Sequence, residues 1–172
     1  SPRSVLVYDS GSGPVRASRS LPNSSTVRSL SPDNPKFMAG STLFDIATLQ
    51  VLGQQNASSS PFTFTASTPA GFTASATNFN LQQNQGGSLF TPDGRSVWSA
   101  FNIAPVQNPP ARANVSQLLH SDADSLLIDL GVQLTQNLSG KMVAPAKGNT
   151  AYALSAAGIL DLPLSHILPS PL

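Results

Sequence analysis

Phe90-Thr91-Pro92-Asp93-Gly94-Arg95-Ser96-Val97-Trp98-Ser99 reads as two short strands closed by a tight turn. Proline at the head of the turn fixes φ, the aspartate bonds back to the backbone, and the glycine accepts a positive φ. A second copy is Leu30-Ser31-Pro32-Asp33-Asn34-Pro35-Lys36-Phe37-Met38-Ala39. A third, weaker one is Val143-Ala144-Pro145-Ala146-Lys147-Gly148-Asn149-Thr150-Ala151-Tyr152-Ala153. Recurrence of one unit decides a fold before any single residue does.

Working outward, a second pattern falls in step with the first. Val5-Leu6-Val7-Tyr8-Asp9, Thr42-Leu43-Phe44-Asp45, Leu126-Leu127-Ile128-Asp129 and Gly158-Ile159-Leu160-Asp161 all run apolar and stop on aspartate. The first three are followed by a short turn and another strand. The unit is therefore a four-stranded antiparallel meander, used about three times after a half-unit at the start. Leu126–Leu130 and Val132–Leu138 are expected to pair around Gly131, and a single helical turn is the one helix-like candidate, over Asn114–His120. Turn anchors recur every roughly 55 to 60 residues, longer than a minimal unit needs. The excess falls in two insertions, about 57–85 and 103–124, the first carrying Phe62, Phe64, Phe72 and Phe79.

One meander cannot bury both of its faces; stacking several does. The expected fold is all-β, a partial β-propeller of four-stranded antiparallel blades. It is expected to occupy 1–172 as one domain and to be part of a longer protein. A β-sandwich is the alternative.

Composition narrows the function. Charged residues make up 10% of the 172, against about 25% in ordinary soluble proteins. A net charge of +1 argues against electrostatic capture of nucleic acid or an anionic membrane. Arg3, Arg16, Arg19 and Arg28 cluster near the start, but Ser, Gly and Pro separate them and no aromatics interleave, so they read as a solvated edge. The absence of cysteine removes disulfides, thiolate metal sites and cysteine nucleophiles. No apolar run is long enough for a membrane helix. A charge-poor surface rich in amides and hydroxyls leans towards an exported protein, with its signal peptide outside this sequence.

Catalytic constellations are weak. His120-Ser121-Asp122-Ala123-Asp124-Ser125 offers alternate acids for a hard cation but lacks the Gly and the distant Glu of a calcium loop, and reads as a turn cap. No Gly-x-Ser-x-Gly elbow, phosphate loop or dinucleotide fingerprint is present. His120 with Asp122 makes a poor triad, because loop neighbours rarely converge. Asp45, Asp129 and Asp161 either ring one mouth of the array or simply start turns. Asn23, Asn56, Asn114 and Asn137 fit the glycosylation acceptor pattern, as chance allows in so Asn- and Ser-rich a chain. No cofactor and no metal is expected, and the sequence leans away from catalysis. Phe62 and Phe64, alternating with threonines, together with Phe72, Phe79 and Trp98, form the expected binding surface.

Ser31-Pro32-Asp33-Asn34, Thr91-Pro92-Asp93-Gly94 and Asp45-Ile46-Ala47-Thr48 also carry a family likeness. With Trp98 and Tyr152 in aromatic-led strands, the chain resembles the YVTN-type β-propeller repeats of exported bacterial and archaeal proteins. The name-giving tetrapeptide is absent, and Met38 stands where the first copy should hold an aromatic. The resemblance implies a propeller serving binding or scaffolding, or a fragment of a propeller enzyme with its active site elsewhere. Closed propellers need about four to eight blades, so a homodimer completing the array is expected, with a protein or carbohydrate as ligand.

Overall fold

The computed structural model describes residues 3–21, 25–32, 36–55, 81–103, 115–147 and 149–167. They form thirteen strands and one helical turn, α1 (Leu164–Ile167). The first sheet pairs β1 (Arg3–Tyr8) with β2 (Val15–Leu21). The second is a meander of β3 (Arg28–Leu30), β4 (Lys36–Ala39), β5 (Thr42–Asp45) and β6 (Val51–Gln54). The third runs β7 (Leu81–Phe90), β8 (Ser96–Ile103), β9 (Val115–Asp122) and β10 (Ile128–Gln133). The fourth has three strands, β11 (Leu138–Val143), β12 (Thr150–Ser155) and β13 (Gly158–Pro163). Every pairing is antiparallel between chain neighbours.

The sheets bury one another's faces. Strand alternation shows it most plainly in β8, because side chains along a strand point alternately to opposite faces. Val97 and Phe101 join a core with Val27, Met38 and Leu43 of the second sheet and the segment leading into it. Trp98 and Ala100 join another with Leu138, Met142, Ala151, Ala153 and Leu162 of the fourth. The third sheet is thus covered on both sides, and the described residues form four small antiparallel sheets.

The polar positions of β8 follow the same alternation. Ser99 faces the second sheet, where Gln55 Nε2 donates to Ser99 Oγ at 2.9 Å and to Ser121 Oγ at 2.8 Å. Asn102 faces the fourth, donating from Nδ2 to the Leu138 carbonyl at 3.0 Å and accepting the Leu138 N–H at 3.2 Å. Buried amides that meet partner groups across a sheet boundary set the register between sheets, since an unpaired one costs about 1–3 kcal/mol. Lys36 adds a further tie, reaching the Ala123 carbonyl at 2.9 Å and Asp124 at 2.5 Å. The first sheet docks on the far face of the second through Arg19, which donates to the Leu49 carbonyl at 2.8 Å and lies over the Phe44 ring at 5.6 Å.

Glycine permits two of these close approaches. A Cβ on Gly87 would lie 2.3 Å from the Gly140 carbonyl oxygen, between β7 and β11. One on Gly53 would lie 2.3 Å from the Ser125 carbonyl oxygen, between β6 and the β9–β10 turn.

Several expectations change. Asn114–His120 is not a helical turn: Val115–Asp122 is β9, paired along its length with β8. The stretch 103–124 set aside as an insertion therefore supplies the third strand of its sheet. Both faces of β9 are buried, and its Ser116, Gln117, His120 and Ser121 mask the apolar alternation that would have marked it. Gly131 is no turn; it sits inside β10 and pairs with Leu119. Asp129 and Asp161 lie within β10 and β13 instead of ending strands. At the outer face of the fourth sheet Val143, Tyr152, Leu154 and Ile159 are exposed, as are Leu6, Tyr8 and Val15 on the first.

Candidate functional site

Three turns share one construction. Asp9 follows β1, and Asp45 and Asp122 end β5 and β9; each accepts the backbone N–H two residues on and the hydroxyl three residues on. The residue four places on takes positive φ: Gly13 at 83°, Leu49 at 57°, Leu126 at 58°. The aspartate N–H then bonds to the carbonyl of the residue five on, Pro14, Gln50 or Leu127. Leucine tolerates that strained backbone at Leu49 and Leu126 because its side chain is buried in return. The turn links β1 to β2, β5 to β6 and β9 to β10, so the first sheet corresponds to the last two strands of the second and third.

These bonds set the charges. The Thr48 hydroxyl and N–H hold the Asp45 carboxyl below its ordinary value, as the Ser12 hydroxyl and Gly11 N–H do for Asp9. The Thr91 hydroxyl and Arg95 N–H act likewise on Asp93. At Asp122 burial pushes upward, but the N–H groups of Ser125, Asp124 and Leu127 and the Ser125 hydroxyl outweigh it. Asp45 and Asp122 are thus committed to their own turns, and among the described residues no three His, Asp or Glu side chains gather as a metal set. Because each folded pKa lies below the unfolded one, this stability is present above the ordinary carboxylate range and is lost as pH falls through the folded values. The melting temperature should be level above about pH 5 and fall below about pH 4. An Asp122→Asn variant should melt several degrees lower at pH 7, with the gap closing by pH 2. A gap that persists at pH 2 in thermal melts refutes the assignment.

Among the described residues a feature with room for a ligand lies where the first strands of three sheets converge. β7 runs beside both β3 and β11. A cavity of about 470 Å³ opens between them, within the range of small-molecule sites. From β3 come Arg28, Ser29 and Leu30; from β7 Ser88, Leu89 and Phe90; from β11 Lys141, Met142 and Val143. The turns that follow add Pro32, Pro92, Ala144 and Ala146. Ser88 is buried and donates its hydroxyl to Ser29 Oγ at 2.9 Å. Leu89, Phe90 and Met142 are buried, while Leu30 and Val143 are exposed at the rim.

No family model matches the chain, and no curated protein matches it.

Of the expected surface, Phe62, Phe64, Phe72 and Phe79 lie outside the described residues. Trp98 is wholly buried, its ring centroid 4.7 Å from that of His120 and tilted by 55°. It presents no surface, because the face of β8 that carries it is covered by the fourth sheet. No single strand marks the cavity residues, yet the sequence carries a signal for them. Arg28, Ser88 and Lys141 each stand four places before the turn proline of their copy of the repeat, Pro32, Pro92 and Pro145. Aligning the copies on the proline superposes them; reading each strand alone does not.

Proposed function

We propose that this chain is a non-catalytic binding module of an exported protein, built as a partial β-propeller, with the cavity between β3, β7 and β11 as its ligand surface. The observation that carries the reading is the convergence of three equivalent strands on one cavity, each the first of its meander. Repeated sheets stacked face to face with their first strands together are the arrangement a propeller axis needs. The shared aspartate turn at the far end of three sheets supports the same repeat, as does the resemblance of the Pro-Asp-Gly copies to YVTN-type units. The charge-poor, amide- and hydroxyl-rich composition supports export.

Nile red, an uncharged fluorophore that brightens in apolar surroundings, tests the ligand surface directly. It should bind saturably at one site per chain. Ala144→Trp, which fills the cavity from its half-buried wall, should abolish binding while its far-UV circular dichroism matches the wild type, which shows that the strands still form. No saturable binding, or equal binding by the filled variant, would remove the cavity as a ligand surface.

A further inference from the structure

Resting on the cavity as the ligand surface, we propose that its ligand is a small apolar carboxylate, its acid group taken by Arg28 and Lys141 and its hydrocarbon body by the wall of Leu89 and Met142. The argument starts from charge. The chain has only nine Lys and Arg in 172 residues, yet two of them line this one cavity from different strands. No acidic residue is among the lining residues described. The ion pairs among the described residues are Arg16–Asp9 and Lys36–Asp124, so neither Arg28 nor Lys141 has a carboxylate partner there. Two like charges with no carboxylate partner among the described residues favour an anion in the hollow, and a guanidinium presents two parallel N–H donors that match a carboxylate.

The hydroxyls add direction. Ser29 Oγ accepts from the buried Ser88 hydroxyl. Whichever hydroxyl of the pair accepts keeps its own hydrogen to donate, so the lining holds a neutral donor as well as the two cations. The remaining lining is aliphatic, proline or Phe90. A sugar placed there would set hydroxyls against Leu89, Met142 and Val143 with few partners, which is costly. A hydrocarbon body loses nothing by the same contact. The net charge of +1 supplies no long-range pull on anions in general, so the preference is local to this hollow and acts at short range.

The test is displacement of Nile red from the wild-type chain by octanoate, octanol and octylammonium, which share one tail and differ in head charge. Octanoate should displace the dye at a concentration about tenfold lower than octanol, with octylammonium the weakest. Its advantage should shrink at high salt. In an Arg28→Gln/Lys141→Gln variant, altered only at exposed positions, the ratio of octanoate to octanol potency should fall to about one, whatever the variant's own affinity for the dye. If octanol equals octanoate on the wild type while both displace the dye, the carboxylate inference falls and the cavity reading stands. Persistence of the octanoate preference in the double variant overturns it as well. Failure of the wild type to bind Nile red at all removes the cavity reading, and this inference with it.

Discussion

A Gly87→Ala protein melts about 6–12 °C below the wild type. The added methyl would sit 2.3 Å from the Gly140 carbonyl oxygen and 2.8 Å from Met142 Cγ. The first of these contacts is backbone, so no rotamer change relieves it. β7 and β11 must move apart, which loosens the core between the third and fourth sheets. Overpacking of this kind costs about 3 kcal/mol, at the upper end of the usual range. For a chain of this length each kcal/mol lowers the melting temperature by about 2–4 °C. Gly140 supplies the control: a Cβ there meets nothing within 4 Å. Gly140→Ala should therefore stay within about 0.5 kcal/mol of the wild type. Thermal denaturation of the two variants decides the matter, and equal melting temperatures would mean that the two strands are not in this close contact.

Trp98→Ala has the largest expected effect of any side-chain truncation, about 3–5 kcal/mol, or about 6–20 °C. Trp98 is wholly buried, packs among Leu89, Ala100, Leu118 and Met142, and meets His120 ring to ring at a tilt. Its removal leaves a void that β-strands locked by cross-strand hydrogen bonds cannot close. The loss should also be directional. Trp98 belongs to the core shared with the fourth sheet, while Val97 and Phe101 belong to the core shared with the second. Amide exchange should accelerate most in β11–β13 and least in β3–β6. Uniform acceleration across both sheets, or a loss under about 1 kcal/mol, would contradict the two-sided burial of β8.

Much of the meander was readable residue by residue. The pairings of β1 with β2, β3 with β4, β5 with β6 and β7 with β8 follow from turn chemistry, because proline, aspartate and glycine state their own backbone angles. Gly94, for example, takes φ 67° in the Pro92-Asp93-Gly94 turn. Where the signal was polar it misled. β9 carries Ser116, Gln117, His120 and Ser121, which look like a loop until Asn102 and Leu138 are seen to be partners of Ser116 and Gln55 a partner of Ser121. A strand buried on both faces shows no alternation when its buried polar groups are satisfied by other sheets. Gly131 misled in the opposite sense, a turn residue by habit that serves inside a strand.

By itself, the amino-acid order determined the antiparallel hairpins and their punctuation, since those depend on φ, hydrogen bonds and side-chain direction within a few residues. Only the tertiary structure decided which faces meet, that Gly87 and Gly53 are spacers between sheets, and that Arg28, Ser29, Ser88 and Lys141 share one hollow. Those residues are tens of positions apart in the chain. Their meeting depends on how whole sheets stack, a matter of buried area and cross-sheet hydrogen bonds that no local stretch encodes.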